Sequence, residues 1–198
     1  MPPDDDTNYM LIALELLETC GKSFTPDDVT ELWLSRLVKG ETFTAERVAY
    51  RNFLAGYRPP DSAIRENPFR EWIGAQIRGD VFGYACPCDP EAAAGLAFRD
   101  ACISHIKNGI YGEMLASAMV AAAFGAETAE EAVLLGLAEI PQKSRLHESV
   151  SSIVQKYRSG GPEQECFDDI ARRWDEREYH VKIHTISNAE IVAASLLY

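Results

Sequence analysis

The chain has 198 residues, of which 46% are hydrophobic, and 31 acidic against 19 basic side chains give it a net charge of −12. This length and composition fit one globular domain, residues 1–198, with enough apolar surface for a core. The charge disfavours nucleic acid as a partner, and no apolar run reaches the length of a membrane span. The first residues lack the basic and apolar regions of a secretory signal, so we expect a cytoplasmic protein with reduced cysteines.

The first predicted helix begins beside three acids, Asp4-Asp5-Asp6, followed by Thr7. The helix itself is indicated by apolar residues at the spacing of a buried face: Tyr9, Met10, Ala13, Leu14 and Leu17. One Asp suffices to cap a helix, and further hard oxygen donors suit Mg²⁺. The same residues are also typical of a solvated, frayed acidic terminus, so both interpretations stay open.

Capping signals predict that nearly the whole chain is helical, which places it in the all-α class. Thr25-Pro26-Asp27-Asp28 combines a hydroxyl cap, a proline and first-turn acids. Thr44 is expected to cap the next helix, with Val48, Phe53 and Leu54 directed inward. Later boundaries are predicted at Asp89-Pro90-Glu91, Thr128-Ala129-Glu130-Glu131 and Ser159-Gly160-Gly161-Pro162, with a last helix at Asn188–Tyr198.

Two segments depart from this pattern. Gly56–Ile73 is rich in proline and irregular, and Tyr179–His184 alternates weakly without a partner strand. Two alanine-rich stretches, 92–97 and 116–123, predict a pair of closely packed helices.

Small residues mark two candidate ligand-binding segments. Ser104-His105 and the turn around Gly109 lie between the alanine-rich helices, where a histidine could contact a ligand's hydroxyl or phosphate oxygen, or simply cap its own helix. Gly74–Arg78 would let backbone approach a ligand and offers Arg78 to a phosphate. Arg78 with Asp80 is equally typical of a structural pair.

Other motifs favour structural roles. His180 and His184 are four apart, but the residues between them argue against a helical zinc pair. Asp168-Asp169 with Arg172-Arg173 is typical of a surface salt-bridge ladder. Glu113 is interpreted as a first-turn acid that complements the helix dipole rather than a ligand or base. With no nucleophile motif visible, metal-assisted hydrolysis fits the acid cluster best.

Taken together, these residues resemble the ADP-ribosylglycohydrolase family over nearly the whole chain. Asp4-Asp5-Asp6-Thr7 is similar to the family's Ser/Thr-Asp-Asp-Thr metal motif, and Gly74–Arg78 to its Gly-Ala-Ala-Met-Arg segment. Ser104-His105 matches its Thr-His, and Asn108–Glu113 resembles a bacterial subgroup.

The resemblance implies an orthogonal multi-helix enzyme that uses a pair of magnesium ions to cleave ADP-ribose from modified targets. It implies metal ligands at Asp4, Asp5 and Asp6. It also implies that substrate is bound by Gly74, Arg78, Ser104, His105 and Gly109. The partner would be ADP-ribose or an ADP-ribosylated protein, with neither nucleic acid nor a membrane involved.

The chain departs from the family pattern at both ends. The family's first helix with Gly-Asp and a glutamate, and its C-terminal Asp-x-Asp-Thr motif, have no counterpart here. We therefore expect a truncated, inactive domain with weak or absent Mg²⁺ binding, whose intact parent hydrolyses the glycosidic bond. The rival hypothesis is a non-catalytic helical binding or structural domain. Loss of two core helices would leave an apolar surface that drives self-association.

Overall fold

The computed structural model describes residues 4–174 and 182–198, which form eleven α-helices. Their bounds are α1 Asp5–Cys20, α2 Pro26–Arg36, α3 Thr44–Leu54, α4 Asp61–Ile64, α5 Asp80–Ala85, α6 Pro90–Ala101, α7 Asn108–Ala122, α8 Ala129–Ala138, α9 Arg145–Arg158, α10 Glu163–Arg173 and α11 Thr185–Leu197. Three 3₁₀ turns lie at Gly21–Ser23, Lys39–Glu41 and Gln76–Arg78. In the described ranges, extended pairing is limited to one bridge between Trp72 and His184, so the all-α prediction is confirmed.

Capping residues begin the helices where the sequence indicated. Thr25 caps α2: its hydroxyl accepts from the Asp28 amide at 3.3 Å, while the Asp28 carboxylate accepts from the Thr25 amide at 2.7 Å. Asp89 caps α6 and Thr128 caps α8, each by accepting from an amide three residues on. These bonds satisfy amides that would otherwise lack a partner at the helix ends.

Several predicted details are wrong. Phe43, not Thr44, is the cap of α3, and no side chain caps that end. Leu54 is 62% exposed rather than directed inward, because it is the last residue of the helix. The final helix begins at Thr185, three residues before the predicted start. Residues 179–181 of the weakly alternating segment lie outside the described ranges.

Two apolar cores flank α7. The first lies among α1, α2, α3, α5 and α6 and is built around Trp33, Phe24 and Phe82. The second gathers α8, α9, α10 and α11 around Leu146 and Ile153. The expected alanine pairing is confirmed, since α6 packs directly against α7 and small side chains on both are buried.

All five cysteines are unpaired. In the ranges 4–174 and 182–198, every helix is too short or too polar to cross a bilayer.

Candidate functional site

The first turn of α1 gathers the three aspartates of the predicted metal site. Each of Asp4, Asp5 and Asp6 offers a carboxylate oxygen within 4.8 Å of oxygens from the other two. Asp4 caps the helix, because its Oδ2 accepts from the Thr7 amide at 3.3 Å and from the Thr7 hydroxyl at 2.6 Å. Asp5 and Asp6 are therefore not needed as caps and leave their oxygens open to other partners.

The charges at this end of α1 repel one another. Partial burial, and then the charges of Asp5, Asp4 and Asp80, raise the pKa of Asp6. Asp80 begins α5, which packs against α1. No sequence pattern indicated that Asp80 would lie near the three aspartates. Clustered hard oxygen donors under mutual repulsion fit a divalent cation such as Mg²⁺. The metal assignment stays a prediction.

Arg78 lies at the centre of a buried polar cluster and is only 2% exposed. Its guanidinium donates to the Glu46 carboxylate at 3.2 Å and to the Ser104 hydroxyl at 3.0 Å, and it also pairs with the Asp100 carboxylate. The rings of Trp33 and Tyr9 cover it, with centroids 4.9 and 5.4 Å from Cζ. Arg78 thus forms structural ion pairs, but not with Asp80 as the sequence suggested.

Ser104 and His105 are fully buried beside Arg78. The Ser104 Oγ accepts from Arg78 at 3.0 Å and lies 2.8 Å from His105 Nδ1, so the hydroxyl bridges the guanidinium and the imidazole. The other ring nitrogen, Nε2, lies 3.8 Å from Glu46 Oε1 and has no hydrogen-bond partner in the described part of the chain. Burial, and then the positive charge of Arg78, lower the pKa of His105 well below its usual value, so the ring is neutral.

Glu46 and Glu113 are buried glutamates of the same cluster. Burial raises the pKa of Glu46 to about 7, although the charge of Arg78 opposes this shift. Burial, and then the charge of Asp100, raise the pKa of Glu113 well above its usual value, which favours its protonated form. The interpretation of Glu113 as a first-turn acid is wrong: α7 begins at Asn108, its first turn holds no acid, and the Glu113 Oε2 lies 3.8 Å from Arg78 Nε.

The two glycines predicted to contact substrate make room for protein atoms. A Cβ on Gly74 would lie 1.8 Å from Glu46 Oε1. A Cβ on Gly109 would lie 2.5 Å from the Arg70 carbonyl oxygen and 3.0 Å from His105 Cδ2. Both positions therefore need glycine for the close approach of neighbouring segments.

The predicted site residues converge in space. Gly74, Arg78, Ser104, His105 and Gly109 all belong to or border the buried cluster. The three aspartates lie on the side of the buried cluster that Tyr9 covers, because Asp5 and Tyr9 are one turn apart on α1 and the Tyr9 ring packs over Arg78. The side chains of Arg78, Ser104 and His105 are covered by protein in this structure, so their assignment as ligand contacts stays a prediction.

Sequence reasoning missed Glu46 and Asp100. Each continues the apolar periodicity of its helix: Glu46 precedes Ala49, Tyr50 and Phe53 by three, four and seven residues. A charged residue in register with a buried face was the available signal for both.

A separate apolar groove of about 450 Å³ lies between α7, α8 and α11. Its lining includes Met119, Val120, Val192 and Leu196, and the last two are 40% and 46% exposed. The expected self-association stays a prediction.

Comparison with known proteins gives one finding. A family model described as ADP-ribosylglycohydrolase matches residues 2–198. No curated protein and no solved structure matches the chain.

Proposed function

Because the chain belongs to the ADP-ribosylglycohydrolase family, we propose that it contributes a metal-binding half-site to Mg²⁺-dependent hydrolysis of the glycosidic bond of an ADP-ribosylated protein or a related N-glycosidic substrate, and that it is inactive by itself. The observation that carries this proposal is the convergence of three carboxylates within 4.8 Å on the first turn of α1. That turn stands over the buried cluster containing the other predicted site residues.

Asp5 and Asp6 would hold the cation, and Asp4 would assist from its cap position. When bound, Mg²⁺ supplies an activated water and orients the ribose hydroxyls. The chain's contribution is orientation: the Thr7 hydroxyl fixes the carboxylate of Asp4 at 2.6 Å. Tyr9 anchors the same helix face on the guanidinium of Arg78.

The buried cluster supports this turn from below. Arg78 bonds Glu46 of α3, Asp100 of α6 and Ser104 of the turn that follows α6. Such a bonded network is rigid, and rigid support keeps metal and substrate groups in productive geometry. We propose that Gly74, Arg78, Ser104, His105 and Gly109 shape the ADP-ribose pocket, with the buried side chains acting through the groups that they hold.

The test is calorimetric titration of ADP-ribose into the chain with and without millimolar Mg²⁺. We expect Mg²⁺-dependent binding in the wild type, and its loss in the double variant Asp5→Asn/Asp6→Asn. Asp27→Asn is the matched control, because Asp27 is an exposed first-turn acid of α2 outside the cluster. Absence of ADP-ribose binding in a folded wild type would overturn the proposal.

The second candidate is a non-catalytic binding or structural domain. It is favoured by one observation: the side chains of Arg78, Ser104 and His105 are covered and bonded to one another. ADP-ribose binding that ignores Mg²⁺, without release of ADP-ribose from a modified protein, would support this candidate. If the groove between α7, α8 and α11 also pairs two copies, sedimentation velocity will show a dimer.

A further inference from the structure

Three buried carboxylates face a single guanidinium in the Arg78 cluster. Arg78 Nη1 lies 3.2 Å from Glu46 Oε1. Arg78 Nε pairs with Asp100 Oδ2 and also lies 3.8 Å from Glu113 Oε2. All four side chains are at most 5% exposed, so water screens these charges very little. If all three acids were ionised, two buried negative charges would lack a counter-charge, and a buried acid in that position takes up a proton instead.

His105 is the other side chain of this cluster that could carry a positive charge. It is fully buried, and the Ser104 hydroxyl lies between its ring and the guanidinium of Arg78. Burial, and then the positive charge of Arg78, lower the pKa of His105 well below its usual value. Arg78 is therefore the one cation that the described part of the chain offers to the three acids.

Glu113 is the least well paired of these acids. Asp100 accepts a hydrogen bond from Arg78 Nε. Glu46 accepts one from Arg78 Nη1, and the Thr44 hydroxyl lies 3.5 Å from its other oxygen. Both carboxyl oxygens of Glu113 are buried, and neither has a hydrogen-bond partner among the described residues. A buried group that can only accept, and that meets no donor, gains most from a proton of its own.

Asp100 is the acceptor for that proton. The carboxyl groups of Asp100 and Glu113 approach the same nitrogen of Arg78, and the two side chains are close enough to hydrogen bond. Two ionised carboxylates would repel each other there, whereas one proton between them makes a charge-assisted hydrogen bond. We propose that Glu113 and Asp100 share one proton beside Arg78, and that loss of this proton at alkaline pH destabilises the fold.

Other titratable groups around the pair leave the proton with the acids. The groups that surround the pair and Arg78 are Tyr9 on α1, Glu46 on α3, Cys102 at the end of α6 and His105 in the loop before α7. Burial raises the pKa of the thiol to about 12 and raises that of the phenol as well, so both stay neutral. Asp80 of α5 lies beside Asp6 of α1, and Glu190 of α11 pairs with Arg173. Helices α8 and α9 meet α7 through the apolar side chains of the second core.

The direction of the pH dependence follows from which state of the chain holds the proton. Burial, and then the charge of Asp100, raise the pKa of Glu113 in the folded chain. Below the usual pKa of a glutamate, about 4.3, folded and unfolded chains both hold the proton, and the contribution of the pair to stability is fully present. As pH rises, the unfolded chain releases the proton first, so this contribution is lost as pH rises through the folded pKa. In the release, the Glu113 O–H bond breaks, the carboxylate keeps the electron pair, and buffer takes the proton.

Carboxyl ¹³C NMR of glutamate-labelled protein tests where the proton is. The signal of Glu113 is identified by its absence in Glu113→Gln. At pH 7 we expect this signal at the position of a protonated carboxyl group. A Glu113 signal at the position of an ionised carboxylate would overturn the proposal.

Two substitutions of Glu113 test whether the proton is shared. Glu113→Gln keeps a donor for Asp100 because its amide has N–H groups, whereas Glu113→Leu has a similar size and no donor. We expect the urea midpoint of Glu113→Gln at pH 7 to stay near that of wild type, and that of Glu113→Leu to be clearly lower. If Glu113→Leu is as stable as Glu113→Gln, the shared hydrogen bond does not exist.

Urea unfolding between pH 6 and pH 10 tests the loss of stability. Where the folded chain holds the proton and the unfolded chain does not, the unfolding constant rises about tenfold per pH unit. We therefore expect wild type to lose stability more steeply than Glu113→Gln, whose amide does not titrate. Glu66→Gln is the matched control, because the Glu66 side chain is 73% exposed, and it should follow the wild-type curve. Parallel curves for wild type and Glu113→Gln would refute the pH sensitivity of the pair.

Discussion

Gly74→Ala tests whether the buried cluster is as tightly packed as its distances indicate. The added Cβ would lie 1.8 Å from Oε1 and 2.5 Å from Cδ of Glu46, so the carboxylate must move. Overpacking of this kind costs about 1–3 kcal/mol, and complete loss of a buried ion pair costs about 3–5 kcal/mol. Asp100 still pairs with Arg78, so only part of the second cost applies. We expect the free energy of unfolding to fall by about 3 kcal/mol.

Urea unfolding followed by circular dichroism at pH 7 measures this change. Gly95→Ala is the matched control, because a Cβ on this exposed residue of α6 meets nothing within 4 Å. There we expect a gain of about 0.5–1 kcal/mol from helix propensity. If Glu46 is the obstacle, Glu46→Ala combined with Gly74→Ala should cost less than the sum of the single changes. A loss below about 1 kcal/mol in Gly74→Ala would refute the reasoning.

Three further changes are expected to separate the roles of neighbouring groups, each measured by urea unfolding at pH 7. Arg78→Met should lower the free energy of unfolding by about 3 kcal/mol or more, because it leaves buried carboxylates unpaired. Arg145→Met removes an exposed ion pair and should change the free energy of unfolding by no more than about 0.5 kcal/mol. Equal effects of the two substitutions would contradict this reasoning. Glu113→Gln should change the free energy of unfolding by less than about 1 kcal/mol, since burial favours the neutral form of Glu113, whereas Asp100→Asn should lower it by about 3 kcal/mol. The reverse order would show that Glu113 carries the charge. Thr25→Ala should lower the free energy of unfolding by about 1 kcal/mol, because it removes the capping box of α2. An unchanged urea midpoint would show that the capping box does not stabilise the protein.

Local signals predicted the helices well. The start of α2 at Thr25-Pro26 and the end of α9 before the glycines depend on residues only a few positions away. The local sequence is therefore enough to predict both boundaries. The prediction that Thr44 caps α3 was wrong for a related reason. A hydroxyl beside a helix start is a capping signal, but the backbone of Thr44 already belongs to the first turn of α3.

The candidate site was predicted less completely because its pairings are long-range. Gly74, Arg78 and His105 were identified by residue type, and the structure does bring them together. Their covering by Tyr9 and Trp33, however, depends on how α1 and α2 pack, which no local pattern specifies. Glu113 was misread because the position of the α7 start decides whether it lies in the first turn or deep in the core.

The Arg78 network also constrains the order in which the chain can fold. Glu46 precedes Arg78 by 32 residues and Asp100 follows it by 22, so the guanidinium has both of these carboxylate partners only when both segments are present. A nascent chain that ends before Asp100 would have to bury Arg78 with an incomplete set of counter-charges, which is strongly unfavourable. The first core should therefore not become stable during synthesis until α6 has left the ribosome, and its helices should then assemble as one cooperative unit.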